Sequence, residues 1–159
     1  MPKVVSDTGP LIALASINQF TLLQKLFGKT YIPPAVRSEI LDKNTLNAIN
    51  LSSWIEVLPA KDKIAIQLLK NELDAGESEA IILARELNAN LLVLDERAAR
   101  RKAIALDLPT IGTLGVLLLA KKQTLISTLK PLLDTLIHAG FRMSEELYEQ
   151  VLQSAGEEK

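Results

Sequence analysis

Two short apolar runs that each end at an aspartate are the feature that most constrains the fold of this chain. The first is Val4-Val5, which Ser6 joins to Asp7, and the second is residues 91–94 (LLVL), which lead directly to Asp95. Strands that are apolar throughout, rather than at alternate positions, are typical of parallel sheets covered on both faces. Segments with helical periodicity lie between the runs, as in an α/β fold. We therefore predict an α/β fold, a helix-rich, three-layer α/β/α domain with a central parallel sheet.

The rest of the chain alternates predicted helices with short strands. Helices are predicted at residues 11–26, from 34 onward, and at 61–73, 77–87, 97–106, 115–121, 131–138 and 144–153. Further strands are predicted at residues 31–32, 54–58 and 109–111. Because no linker or repeat divides the sequence, residues 1–154 are predicted to form a single domain and residues 155–159 a disordered tail.

The composition excludes most kinds of catalytic site. The chain has no cysteine, and His138 is its only histidine. Disulfides, thiolate ligands, cysteine nucleophiles, serine–histidine catalysis and multi-histidine zinc sites are therefore not expected. The formal net charge is −1, so nucleic-acid binding would require a local basic patch. The chemistry that is left is that of carboxylates.

The distribution of apolar residues gives no sign of a targeting or membrane segment. The N-terminal residues MPKVVSDTG lack a basic run followed by an apolar core, so no signal peptide is predicted. No uncharged apolar stretch reaches the roughly 18 residues that span a membrane. We therefore expect a cytoplasmic protein with no membrane contact.

Four acidic residues lie at the ends of predicted elements. Asp7 and Asp95 each follow a strand, and the carboxyl ends of parallel strands share the sheet edge where ligands bind. Glu39 is expected early in the helix after two prolines, and Glu77 begins the helix before the Asp95 strand. Clustered carboxylates repel one another unless a divalent cation such as Mg²⁺ or Mn²⁺ binds them. A water on such an ion can attack phosphorus without a histidine or cysteine.

Each acid also has a purely structural interpretation. Asp7 can be a turn residue before Gly-Pro, and Asp95 can cap the helix that follows it. Glu39 and Glu79 can be solvated helix residues. Glu77 follows Asp74 at the spacing of a capping box, and the two roles of Glu77, cap and ligand, are compatible.

Several longer phrases resemble the PIN domain of small prokaryotic ribonucleases. They are SDTGPLIAL, PPAVRSEIL, LDAGESEAIILARELNANLLVLDE and ARRKA, in this order and at this spacing. The phrases GESEAI and IGTLGVLLLAKK are similar to those of a group of short PIN-like proteins. The resemblance extends from residue 3 to about residue 150. It implies a PIN-like fold, RNA as the substrate, and Mg²⁺ or Mn²⁺ as the cofactor.

The resemblance also implies roles for individual residues. The four metal-binding and catalytic acids of the family are matched by Asp7, Glu39, Glu77 and Asp95. Glu77 is preferred to Glu79 because it precedes Asp95 by 18 residues, the usual separation in the family, although aspartate is commoner at this position. Thr8 matches a hydroxyl that orients a water or a carboxylate, and Glu96 is a candidate outer ligand.

A basic segment follows Asp95 and is the candidate surface for RNA phosphates. Its cations are Arg97, Arg100, Arg101 and Lys102. Arg97 and Arg101 are four residues apart and share one helical face. Such cations contact phosphates and do not read the base sequence. The structural alternative is an ordinary solvated helix face.

The function expected from these features is that of a metal-dependent endoribonuclease, which the resemblance further associates with toxin–antitoxin pairs. A small antitoxin protein and a second copy of the chain, in a homodimer, are the implied protein partners. One alternative is a PIN-like module of weak or no activity that binds nucleic acid or protein. Another is a different carboxylate–metal phosphohydrolase. A pepsin-like protease is not expected, because the chain has one Asp-Thr-Gly triplet, at residues 7–9, and few predicted strands.

Overall fold

The computed structural model of the protein describes residues 2–157 of the 159-residue chain. Five short strands form one sheet: β1 (Val4–Ser6), β2 (Thr30–Ile32), β3 (Ile55–Val57), β4 (Leu91–Val93) and β5 (Thr110–Ile111). Their spatial order is β3-β2-β1-β4-β5, and every neighbouring pair is parallel. The predicted parallel sheet is therefore confirmed, with β1 at its centre.

Ten helices accompany the sheet within residues 2–157. They are α1 (Thr8–Ser16), α2 (Leu22–Phe27), α3 (Pro34–Glu39), α4 (Lys43–Asn50), α5 (Lys63–Leu69), α6 (Ala75–Glu86), α7 (Arg97–Ala105), α8 (Thr113–Lys122), α9 (Lys130–His138) and α10 (Glu145–Ser154). Helix α8 contacts α1, α2 and α10, whereas α6 contacts α3, α5 and α7. The sheet is the middle layer of a three-layer α/β/α fold, as predicted.

The core is aliphatic and centres on β1, β4 and α6. Val5, Leu92 and Val93 are fully buried, as expected for strands covered on both faces. Four consecutive residues of α6, Ile81 to Ala84, are also buried, so this helix is enclosed on more than one side. The apolar runs of the sequence form the central strands, where both of their faces are withdrawn from water.

The order of the strands reverses direction at β1. The chain builds β2 and β3 on one side of β1 and then crosses back to build β4 and β5 on the other side. Ser6 pairs with Val93, and the Asp7 backbone N–H donates to the Val93 carbonyl at 2.9 Å. Asp7 and the residues after Val93 therefore leave the sheet side by side, at the reversal point where open parallel sheets bind ligands.

Several predicted helix bounds were wrong. The single helix predicted at 11–26 is two helices, α1 and α2, because the chain turns between them at Asn18, whose φ of 57° is incompatible with a continuing right-handed helix. Helix α4 was not predicted; Asp42 caps it by accepting the Thr45 backbone N–H. Glu39 is the last residue of α3 and not an early one.

Part of the predicted tail is attached to the domain. Glu157 accepts hydrogen bonds from the backbone N–H groups of Leu129 and Lys130 and pairs with Lys121 at 2.8 Å. Residues 155–157 are therefore attached to α8 and α9, while residues 158 and 159 of the predicted tail lie outside the described residues. In the part of the chain that the structure describes, no helix combines the length and apolarity needed to cross a membrane.

Candidate active site

Asp7 occupies the central position of the site, directly after β1. Its side chain is only 7% exposed, and its Oδ1 atom is buried with no hydrogen-bond partner among the described residues. Burial raises the pKa of Asp7 from 3.8 to about 7; the Thr8 backbone N–H partly opposes this, and the carboxylates of Glu77, Asp74 and Glu39 add to it. The protein thus keeps a carboxylate oxygen that lacks the donor a buried acceptor normally has.

Glu39 is held between the starts of two helices. Its Oε1 accepts a hydrogen bond from the Thr8 hydroxyl at 2.7 Å, and its Oε2 accepts the Gly76 backbone N–H at 2.9 Å. A Cβ on Gly76 would overlap the Glu39 carboxylate, so Glu39 can hold this position only because residue 76 has no side chain. Thr8 therefore orients a carboxylate, one of the two roles predicted for it, and Glu39 links α1, α3 and α6.

Glu77 serves as a helix cap and is also near the other acids. Its backbone N–H donates to Asp74 at 2.7 Å, and its Oε1 accepts the Asp74 backbone N–H at 3.2 Å, so the predicted capping box is present. The side chain is 8% exposed. Burial raises the pKa of Glu77, and the carboxylates of Asp74, Glu96 and Glu39 contribute, against the Asp74 backbone N–H.

Asp95 is clamped by the first residue of α8. Its Oδ1 accepts the Thr113 backbone N–H at 2.7 Å, and its Oδ2 accepts the Thr113 hydroxyl at 2.6 Å. A Cβ placed on Gly9 would lie 3.8 Å from Asp95 Oδ2, so Asp95 reaches toward the segment that carries Asp7. The alternative that Asp95 caps its own following helix is wrong, because the N-cap of α7 is Glu96.

The fold brings three of the predicted acids into electrostatic contact. The carboxylates of Glu77 and Glu39 raise the pKa of Asp7, and the carboxylate of Glu39 also raises the pKa of Glu77. Asp95 approaches Gly9 on the same sheet edge. Within residues 2–157, no three Asp, Glu, His or Cys side chains converge in a ready-made metal site. The donor set nevertheless fits a hard divalent cation, because it consists of carboxylates and leaves Asp7 Oδ1 unpartnered. The bonded oxygens of Glu39 and Asp95 each retain a second lone pair.

Two other glutamates near the site, Glu79 and Glu96, differ in their burial and their contacts. Glu79 was expected to be solvated but is partly buried, and its Oε1 accepts the Ala35 backbone N–H at 3.1 Å at the start of α3. That hydrogen bond gives Glu79 a structural role. Glu96 is exposed and lies close enough to raise the pKa of Glu77. Its place as an outer ligand stays a prediction.

The basic segment divides into three arginines that line a cavity and one lysine that does not. Arg97, Arg100 and Arg101 line a cavity of about 810 Å³ that also includes Asp95. Lys102 pairs with Glu72 at 2.7 Å and is absent from that lining. Lys102 therefore lies outside this cavity, and its contact with RNA phosphates stays a prediction.

Sequence reasoning missed Thr113 and Gly76. Thr113 follows β5 directly after Gly112, and the rule that residues at strand ends share a sheet edge would have placed it near Asp95. Gly76 carries no comparable signal, because its role depends on the approach of Glu39, 37 residues earlier in the sequence.

Comparison with known proteins identifies the family of the chain. A protein-family model described as a PIN domain matches residues 3–157. PIN domains are generally nucleases and typically use divalent metal ions. Among curated proteins, no significant match was found.

One similar solved structure is a PilT N-terminus domain protein from the hyperthermophilic archaeon Sulfolobus solfataricus P2. The identity is 21%, the TM-score is 0.39, and the alignment covers 91% of this chain and 100% of that chain. The assignment to a family is independent of this structure, since the family model alone spans nearly all of the sequence. The chain therefore belongs to the PIN-domain family.

Proposed function

We propose that the protein is an endoribonuclease that hydrolyses RNA phosphodiester bonds with the help of Mg²⁺ or Mn²⁺. The observation that carries the proposal is the buried, unpartnered Oδ1 of Asp7 at the reversal point of the sheet. A buried carboxylate with a pKa near 7 destabilises a fold when it ionises. A bound cation would stabilise the ionised carboxylate and so remove this destabilisation of the fold.

The protein's own groups set the geometry of the proposed site. The ion would be held by Asp7, Glu39, Glu77 and Asp95. When bound, a divalent ion lowers the pKa of a water and neutralises charge on phosphate oxygens. Thr8 and Gly76 fix both oxygens of Glu39, and Thr113 fixes both oxygens of Asp95. Side chains that are held in this way lose little entropy when they engage a ligand.

The test is cleavage of a mixed RNA pool by purified protein in Mg²⁺, in Mn²⁺ and in EDTA. The wild type is expected to cleave in either metal and not in EDTA, and Asp7→Asn and Asp95→Asn are expected to lose cleavage while circular dichroism shows an intact fold. Asp107→Asn is the matched control, because Asp107 is exposed and precedes β5, at the opposite edge of the sheet.

Two results would contradict the proposal. Equal cleavage by the wild type and Asp7→Asn would identify a contaminating nuclease. If the wild type and the variants bind RNA but cleave none in either metal, the protein is a binding module that has the PIN fold but lacks nuclease activity.

We also propose that this activity serves as the toxin of a toxin–antitoxin pair. The support is the resemblance of the GESEAI and IGTLGVLLLAKK phrases to short PIN-like proteins. Induced expression of the wild type in a bacterial host is expected to arrest growth, and Asp7→Asn is expected not to. Coexpression of a small protein encoded beside the gene should restore growth. Normal growth despite cleavage in vitro would contradict the toxin role.

A homodimer is proposed as the assembled form, with α5 as the contact surface. Ile64 and Leu68 are 76% and 65% exposed. They are four residues apart, so they lie on one face of the helix. An apolar face that is left in water is typical of an interaction surface.

A further inference from the structure

A cavity of about 810 Å³ adjoins the proposed catalytic site at Asp95. It lies between α7, the end of β5, the start of α8 and the segment that joins α9 to α10. Asp95 is shared by the catalytic site and the cavity, so a molecule in the cavity would be next to the carboxylates. None of the four proposed metal-binding acids other than Asp95 lines it.

The lining of the cavity is rich in arginine. Arg97, Arg100 and Arg101 come from α7, and Arg142 comes from the segment between α9 and α10. Against these four guanidinium groups the lining has two acids, Asp95 and Glu96. Within residues 2–157, no carboxylate forms an ion pair with any of the four arginines. The cavity therefore has an excess of positive charge that is available to an anionic ligand.

Phe141 adds an aromatic surface to the same cavity. Its ring is partly buried and packs against the core, and it precedes Arg142 directly. Ile104 and Leu147 extend the apolar part of the wall. A fixed aromatic ring beside arginines suits the binding of single-stranded nucleic acid, because bases stack on the ring while guanidinium groups contact phosphates.

We infer that this cavity is a nucleotide subsite for single-stranded RNA, beside the cleavage position. Phe141 stacks on a base, and the arginines contact the phosphates on either side of it. An RNA backbone bound in this subsite lies next to Asp95, where the cavity adjoins the carboxylates. The inference rests on the proposed ribonuclease function and extends it to the substrate contacts.

The test of stacking is the binding of a fluorescently labelled single-stranded RNA, measured by anisotropy in EDTA so that cleavage does not interfere. Phe141→Leu keeps an apolar side chain and is expected to weaken binding about fivefold or more, and Phe141→Tyr to restore it. An abasic oligonucleotide of the same length should bind the wild type and Phe141→Leu equally. Leu51→Ala is the control for loss of an exposed apolar side chain elsewhere.

The test of phosphate contact is the salt dependence of the same binding. For single strands, each lost phosphate contact lowers the slope of log affinity against log salt concentration by about 0.7. Arg97→Ala and Arg101→Ala are expected to lower the slope by about this amount. Arg85→Ala, which removes an exposed arginine of α6 outside the cavity, is expected to leave it unchanged.

The outcomes separate this inference from the proposed function. Binding that depends on Phe141, in a protein that cleaves no RNA, would support the subsite and contradict the catalytic proposal. Cleavage and binding that are both unaffected by Phe141→Leu and the arginine variants would overturn the subsite alone. If the same variants lose binding of a polyglutamate peptide but retain binding of RNA, the cavity is a site for acidic peptides and the inference is wrong.

Discussion

At the scale of single residues, Asp7 shows how one buried carboxylate couples stability to pH. Its folded-state pKa of about 7 is above the ordinary value of 3.8, so the folded protein holds this proton more tightly than the unfolded chain does. The resulting stabilisation is fully present below about pH 3.8 and is lost as the pH rises through about 7. The full change amounts to about 4 kcal/mol.

We therefore predict that the metal-free wild type loses stability between about pH 4 and pH 7 relative to Asp7→Asn, because asparagine does not ionise. Urea denaturation in EDTA at several pH values measures the difference in the free energy of unfolding. The difference is expected to change by about 1.4 kcal/mol for each pH unit between about 4 and 7 and to level off outside that range. A difference that is constant with pH would show that Asp7 has an ordinary pKa in the folded protein.

Thr113 is a positioning residue whose hydroxyl can be removed with little change of shape. Thr113→Val keeps the backbone N–H bond to Asp95 Oδ1 but loses the 2.6 Å hydroxyl bond to Oδ2. We expect cleavage to fall about 10- to 100-fold and the Mg²⁺ concentration for half-maximal activity to rise, since loss of a partner that orients a ligand has effects of this size. Thr113→Ser should restore both. Equal activity of all three proteins would mean that the backbone bond alone positions Asp95.

At the scale of elements, the site is built where helices begin. Helices α1, α6 and α8 each start at the carboxyl edge of the sheet, and their first residues include Thr8, Gly76 and Thr113. Each of these three residues donates a hydrogen bond to a site carboxylate. The free N–H groups at helix starts favour negative charge, so this packing stabilises acids that would otherwise repel one another.

Gly76 and Gly9 form a matched pair, because each is the second residue of a helix that begins beside an acid. A Cβ on Gly76 would overlap the Glu39 carboxylate, whereas a Cβ on Gly9 would make an ordinary contact at 3.8 Å from Asp95. We predict that Gly76→Ala displaces Glu39 and strongly reduces cleavage, and that Gly9→Ala is close to wild type. Cleavage assays would check this. Thermal melting would show that the fold is retained, since alanine by itself stabilises a helix relative to glycine. Full activity of Gly76→Ala would show that Glu39 is dispensable.

At the scale of the whole molecule, the proposed homodimer depends on a surface that the fold leaves uncovered. The apolar face of α5 that carries Ile64 and Leu68 is predicted to pack against a second copy. Sedimentation velocity should find a dimer for the wild type and a monomer for the double variant Ile64→Lys, Leu68→Lys. Leu41→Lys alters a single exposed leucine at another position and should leave the dimer intact. A monomeric wild type, or a double variant that stays dimeric, would contradict this interface.

Local patterns in the sequence were enough to determine the strands, most helices and the positions of Asp7 and Asp95 after their strands. Apart from Ser6, the runs before Asp7 and Asp95 are apolar at consecutive positions because both faces of β1 and β4 are buried, and a buried strand needs no information from distant residues to be recognised. The Asp74–Glu77 capping box is equally local, since its partners are three residues apart. The resemblance to the PIN domain supplied the preference for Glu77 over Glu79 as a partner of the two aspartates.

Only the tertiary structure decided which groups hold those acids and what lies beside them. The Thr8–Glu39 bond joins residues 31 apart, the Gly76–Glu39 bond residues 37 apart, and the Asp95–Thr113 bond residues 18 apart. The arginine-lined cavity likewise combines α7 with Phe141, far along the chain. These contacts depend on the crossover connections that place β4 against β1. A pattern of neighbouring residues does not predict which residues that are distant in the sequence come into contact.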